Sequence, residues 1–230
     1  MHIFPLLITI LFTAFLLVAC TTPTSAPPPV TPTIRYLAVG DSYTIGESVP
    51  ENERWPVQLR AKLQESGYQV ELTVIARTGW TTDELWEGIE QTGVTPPYDL
   101  VSLLIGVNNQ YRGRPLQEYR EQFRFLVEKA IEYAGNEPKH VIVVSIPDWG
   151  VTPFAAGRGS ERISAEIDAF NQVNREEAES AGCIYVDITP YSRTALSDRT
   201  LLASDGLHPS GKMYAGWVER ILPAALEAVK

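Results

Sequence analysis

The chain has 230 residues, 44% hydrophobic and 20% charged, and a formal net charge of -9. This apolar content supports one sizeable α/β domain and excludes a disordered chain. The acidic balance argues against a nucleic-acid partner, because phosphate backbones call for clustered Lys and Arg.

The first twenty residues contain no Asp, Glu, Lys or Arg and hold an apolar core from Leu6 to Val18. A membrane span needs about 20 apolar residues. An uncleaved anchoring helix and an ordinary cleaved signal are therefore both open readings, and a secretory signal is preferred. Leu17-Val18-Ala19-Cys20 resembles the lipobox of bacterial lipoproteins, although the Lys or Arg usual near the start of such a signal is missing near Met1. The resemblance implies that 1–20 is a lipoprotein signal and that Cys20 becomes the lipidated N-terminus. Cys183 is then the only thiol of the mature chain, opens the apolar run Cys183-Ile184-Tyr185-Val186, and reads as a buried structural thiol. Residues 21–33, TTPTSAPPPVTPT, are rich in Pro and Thr and uncharged. They read as a semi-rigid linker between a membrane and a domain spanning 34–230.

Beyond the linker, strand and helix patterns alternate. Ile34–Val39 is a short apolar run, and Arg54–Ser66 carries Trp55, Leu59 and Leu63 at helical spacing before the stop signal Gly67. Gln69–Ala76 predicts a second strand, Thr81–Thr92 a helix capped by Thr81 or Thr82, and Leu100–Ile105 a third strand. Leu116–Ala134 predicts a long amphipathic helix, and Val141–Ile146 a strand buried on both faces. A helix at Ser164–Ala181, a strand at Cys183–Ile188 and a closing helix at Lys212–Val229 complete the pattern. Five strands alternating with helices predict a three-layer α/β/α sandwich around a parallel sheet. In such sheets ligands bind beyond the carboxyl ends of the strands. Ser42, Gly79, Asn108, Asp148 and Trp149 fall there.

A serine hydroxyl needs an adjacent imidazole to accept its proton before it can attack a carbonyl carbon. A carboxylate on the other ring nitrogen sets that imidazole's tautomer and orientation. The chain has three histidines. His2 lies in the segment read as removed, and His140 stands at the entry to an apolar run, which leaves His208 as the base. Asp205, three residues before it, can reach it from the same loop, and Ser42 is the matching nucleophile. Asp41 reads as structural, its carboxylate accepting backbone N–H bonds in the turn.

Gly40-Asp41-Ser42-Tyr43, Gly79, Gly106-Val107-Asn108-Asn109 and Asp205-Gly206-Leu207-His208 together resemble the motifs of the GDSL, or SGNH, hydrolase family, over essentially all of 34–230. Each motif alone is ordinary turn or cap composition; all four in order carry the resemblance. It implies the flavodoxin-like SGNH fold, catalytic Ser42, Asp205 and His208, and an oxyanion hole formed by the Ser42 and Gly79 N–H groups and the Asn108 amide. Two residues depart from the family pattern: Asn109 replaces an Asp, and Trp80 follows Gly79. Both bear on substrate rather than on chemistry.

Asn109, Tyr111, Arg112 and Trp149 are candidate substrate-binding residues, with Arg112 and Arg114 suited to a phosphate or carboxylate, or else solvated charges before a helix. Phe154 is a further pocket candidate, and Pro147–Gly159 is a candidate specificity loop. The implied activity is hydrolysis of carboxylic esters (short-chain acyl, lysophospholipid or acetylated glycan) through an acyl-enzyme. Alternatives are an envelope polysaccharide O-acetyl esterase or transferase, and a non-catalytic glycan-binding lipoprotein. No cofactor or metal is expected. The expected setting is a monomer in the bacterial cell envelope, exported and held to a membrane by its N-terminal lipid on the periplasmic or extracellular face.

Overall fold

The computed structural model describes residues 1–2 and 32–230. The signal segment, Cys20 and all but the end of the linker lie outside the described residues.

Five parallel strands form one sheet: β1 (Thr33–Gly40), β2 (Gln69–Ala76), β3 (Leu100–Leu104), β4 (Val141–Val144) and β5 (Ile184–Val186), in the order β2-β1-β3-β4-β5. The helices are α1 (Ser42–Ile45), α2 (Trp55–Glu65), α3 (Thr82–Thr92), α4 (Val107–Tyr111), α5 (Leu116–Tyr133), α6 (Ser160–Ser180), α7 (Thr189–Ser192) and α8 (Gly211–Ala228). α2 and α8 pack together against the sheet as one layer, and α3, α5 and α6 form the other. This is the expected three-layer α/β/α sandwich with a flavodoxin-like strand order.

Position in the sheet follows composition. β4 reads Val-Ile-Val-Val, and every residue is fully buried, as a central parallel strand covered on both faces requires. β2 alternates polar and apolar residues and is the partly exposed edge. Thr33 already pairs with Gln69, so the first strand begins one residue before the sequence boundary at 34. α6 starts at Ser160, four residues earlier than its apolar periodicity suggests, because its first turn, Ser160-Glu161-Arg162, is polar. Cys183 is buried, and its burial pushes the thiol pKa up to about 12, as befits a structural thiol.

The chain leaves β1 toward β2 on one side and returns to β3 on the other. The crevice at the carboxyl ends of β1 and β3 is thus the switch point of the topology. Two glycines let the loops meet there. A Cβ on Gly40 would come within 2.3 Å of both the Leu104 carbonyl oxygen and Thr44 Oγ1. Gly106 has φ +128° and would place a Cβ 2.3 Å from the Tyr119 hydroxyl. Gly40→Ala must push the ends of β1 and β3 apart, and is expected to cost about 1–3 kcal/mol in urea unfolding. An unchanged midpoint would show that the two strand ends are not so tightly apposed.

Candidate active site

The turn after β1 is held by Asp41, whose Oδ1 accepts the Tyr43 N–H at 3.0 Å while its backbone carbonyl accepts from Thr44 and Ile45. Ser42 opens α1 and is 5% exposed. Some 160 residues later a second tight loop presents His208. Ala203 N–H bonds the His208 carbonyl at 2.8 Å and Leu202 bridges to Pro209, which pinches the loop shut. Within it, Asp205 Oδ1 accepts the backbone N–H groups of Leu207 and His208, both at 2.9 Å. Asp205 Oδ2 faces His208 Nδ1 at 2.7 Å.

Burial alone would raise the Asp205 carboxyl pKa. A Ser48 hydroxyl at 2.6 Å, the His208 ring and the two backbone N–H bonds outweigh it and hold the group well below the usual carboxylate range. An ionised carboxylate only accepts hydrogen bonds, so the tautomer it selects in a neutral ring carries the proton on Nδ1 and the lone pair on Nε2. Ser48 adopts φ +66°, a left-handed conformation uncommon for serine, and this geometry aims its hydroxyl at Asp205. Its contribution is invisible in the sequence, because it follows from a contact across 157 positions.

Ser42 and His208 line one cavity of about 200 Å³ together with Gly79, Asn108, Tyr111, Trp149 and Phe154. The backbone N–H groups of Ser42 and Gly79 have no acceptor among the described residues. Asn108 gives one amide hydrogen to the Trp80 carbonyl at 2.9 Å, which locks the amide and leaves its second hydrogen free to donate. The structure therefore gathers at one cavity the nucleophile and base candidates and the three donors named from the sequence, with Asp205 directly behind the imidazole.

The sequence profile of the GDSL-like lipase/acylhydrolase family matches residues 38–215. The chain belongs to that family. It is accordingly a hydrolase acting on ester bonds. No curated protein sequence matches the chain. Among solved structures, the acetylxylan esterase Axe2 from Geobacillus stearothermophilus shares the fold at 20% identity, with 86% of this chain and 95% of that one covered and a TM-score of 0.65. The psychrotrophic esterase EstA from Pseudoalteromonas sp. aligns at 18% identity over 84% and 97% of the two chains, with a TM-score of 0.62. TesA aligns at 18% identity over 84% and 99%, with a TM-score of 0.64.

Two of this GDSL-like hydrolase's candidate substrate residues stand elsewhere. Asn109 is fully buried and does not line the cavity. Its Oδ1 accepts the Thr82 N–H at 3.1 Å and its Nδ2 donates to Thr82 Oγ1 at 2.8 Å, a pairing that ties α4 to the start of α3. An amide serves there because it must both accept and donate. Arg112 is turned away from the cavity to Glu84 Oε1 at 3.0 Å and the Gly79 carbonyl at 2.6 Å, so it clamps the Gly79 loop instead of meeting substrate. Arg114 is likewise engaged, by both carboxylate oxygens of Asp83 at 3.0 Å. The Trp80 ring lies over Gly88 of α3, outside the cavity.

Tyr111 and Trp149 do line the cavity, and the stretch Pro147–Gly159 supplies Trp149 and Phe154 to its wall. Gln110, which the sequence did not single out, accepts the Trp149 indole N–H at 2.8 Å and donates to Glu166 at 2.6 Å, fixing the ring. Asp148 is buried against Arg193 at 2.9 Å and holds the same loop.

Asp41 is fully buried, and its Oδ2 has no partner among the described residues. Burial, only partly offset by the Tyr43 N–H bond, raises its pKa from an ordinary 3.8 to about 7. The folded protein thus holds this proton to higher pH than the unfolded chain does. The stability that the protonated group contributes is present below about pH 4 and is lost as pH rises through about 7. The gap corresponds to on the order of 4 kcal/mol. Asp41→Asn keeps the acceptor for Tyr43 and removes the titration. Across urea unfolding curves from pH 4 to 8, wild type is expected to lose stability relative to Asp41→Asn as pH rises. A constant difference would show that Asp41 ionises without cost.

Proposed function

We propose that Ser42 is the nucleophile of a serine esterase that works through an acyl-enzyme. His208 Nε2 takes the Ser42 proton as Oγ attacks the ester carbonyl, and then returns it to the leaving alcohol. Asp205 holds the ring in the required tautomer and stabilises the imidazolium that forms. The Ser42 and Gly79 N–H groups and the Asn108 amide receive the carbonyl oxygen as it becomes negative, and one such donor is typically worth about 2.7–4 kcal/mol. The second half-reaction repeats these steps with water.

The observation that carries this reading is the Asp205–His208 pair at 2.7 Å, standing behind a cavity that also holds Ser42 and the donors. The cavity also bears on substrate. An apolar void of about 150 Å³ takes a benzene ring. At about 200 Å³, this cavity suits a short acyl group better than the fatty chain of a lysophospholipid. Its aromatic rim of Tyr111, Trp149 and Phe154 suits a sugar ring as the alcohol. Axe2, whose fold is shared, is an acetylxylan esterase. The substrate class proposed is therefore an acetylated glycan, met in the cell envelope by a domain exported and anchored through lipid on Cys20.

Ser42→Ala is expected to lower hydrolysis of p-nitrophenyl acetate at least a thousandfold and to abolish labelling by a fluorophosphonate, with circular dichroism unchanged. Labelling that persists in the variant would overturn the nucleophile assignment. Ser48→Ala removes a hydrogen bond to a charged group, commonly worth about 1.5–3 kcal/mol. It is expected to lower kcat about tenfold or more with KM nearly constant, and to move the acidic limb of the pH profile. A change in KM alone would make Ser48 a mere packing residue.

A further inference from the structure

A second and larger cavity, of about 630 Å³, adjoins the first and shares Tyr111 and Trp149 with it. The volume lies within the range of small-molecule sites. Tyr111, Trp149 and Phe154 pack on one another at centroid distances of 5.6, 5.9 and 6.4 Å, so the partition between the two spaces is an aromatic ridge. Tyr111 is 51% exposed on that ridge, a large exposed ring at the mouth of both cavities.

The larger cavity carries three guanidinium groups, Arg114, Arg158 and Arg162, against one carboxylate, Glu166, in a chain whose net charge is -9. Two of the three are already neutralised. Arg114 holds Asp83, and Arg162 holds Glu166 at 2.7 Å. Arg158 forms no ion pair among the described residues. Its guanidinium lies 4.5 Å from the centroid of Phe154, the ring that lines the smaller cavity, so its charge sits on the border between the two.

Resting on the esterase reading above, we propose that the larger cavity is a leaving-group subsite for a sugar carrying a carboxylate. The acyl group occupies the smaller cavity, the sugar ring lies against Tyr111, and the carboxylate reaches Arg158. A guanidinium stacked on an aromatic ring keeps its N–H edge free, the geometry that receives a carboxylate in a bidentate manner. One uncompensated cation matches one negative charge, which favours a uronic acid over a phosphate dianion. The two arginines that follow Asn108, Arg112 and Arg114, cannot serve, because their carboxylate partners already hold them.

The test compares kcat/KM on three monoacetylated sugars of the same acetyl position: methyl glucuronide, methyl glucoside and methyl glucoside 6-phosphate. Wild type is expected to prefer the glucuronide about tenfold over the glucoside at low salt, with the preference shrinking as salt is raised. Arg158→Gln is expected to bring that ratio close to one, and Arg158→Lys to restore part of it. A ratio near one in wild type, a ratio unmoved by Arg158→Gln, or a stronger preference for the 6-phosphate each overturns the carboxylate subsite. Hydrolysis of p-nitrophenyl acetate, which carries no carboxylate for Arg158, separates this failure from failure of the esterase reading. A wild type inactive on that ester would remove both.

Discussion

The close approach of the ends of β1 and β3 is the constraint on which the site depends. Gly40 lies so near the Leu104 carbonyl that no side chain fits between them. The turn bearing Ser42 and the turn bearing Asn108 therefore leave the sheet side by side, at the point where the chain's path through the sheet reverses. Parallel pairing across a sheet of order β2-β1-β3-β4-β5 fixes this proximity before any catalytic side chain is placed. The Gly79 loop is then drawn to the same crevice by Arg112, which spans from Glu84 to the Gly79 carbonyl. Backbone geometry supplies the meeting point, and ion pairs trim the loops around it.

Two aspartates near the crevice show how partners, more than residue type, set charge. Asp205 has four hydrogen-bond donors around its two oxygens and stays ionised. Asp41, next to Ser42, has one backbone donor, a second oxygen with no partner among the described residues and no exposure, and its proton is held toward neutrality. The turn therefore gains its shape from Asp41 while the desolvation of the carboxyl limits its charge.

Much of this was legible in the sequence where the signal is local. The fully apolar run at Val141–Val144 marks a central strand, and the stop at Gly67 closes α2 close to the expected place. Ser42 and His208 could be paired from residue types and scarcity, since one histidine remained after elimination. What the sequence could not show is which charges are already taken. Arg112 and Arg114 look like anion-binding residues because Glu84 and Asp83, their partners, stand 28 and 31 positions upstream on another helix. Asn109 looks like a site residue because it follows Asn108, yet one step along a helix turns a side chain by about 100° and sends it into the core. Ser48 and Gln110 were missed for the converse reason: ordinary polar residues acquire a role only through contacts at a distance.

The same bookkeeping of satisfied charge distinguishes the two sides of the cleft. On the side of the Gly79 loop Arg112 and Arg114 are held by Glu84 and Asp83, and that side presents backbone and amide donors suited to an oxygen that becomes charged only during reaction. On the side of Trp149 and α6 the aromatic ridge is rigid, because Gln110 ties the indole to Glu166 and Asp148 ties the loop to Arg193. Arg158 stands there with no carboxylate partner among the described residues, stacked on the ridge and facing open volume. A fixed ring surface beside a guanidinium recognises a ring that bears an anion already in the ground state. In the proposed reading the cleft separates binding from chemistry: permanent charge is met on one wall, and transient charge on the other.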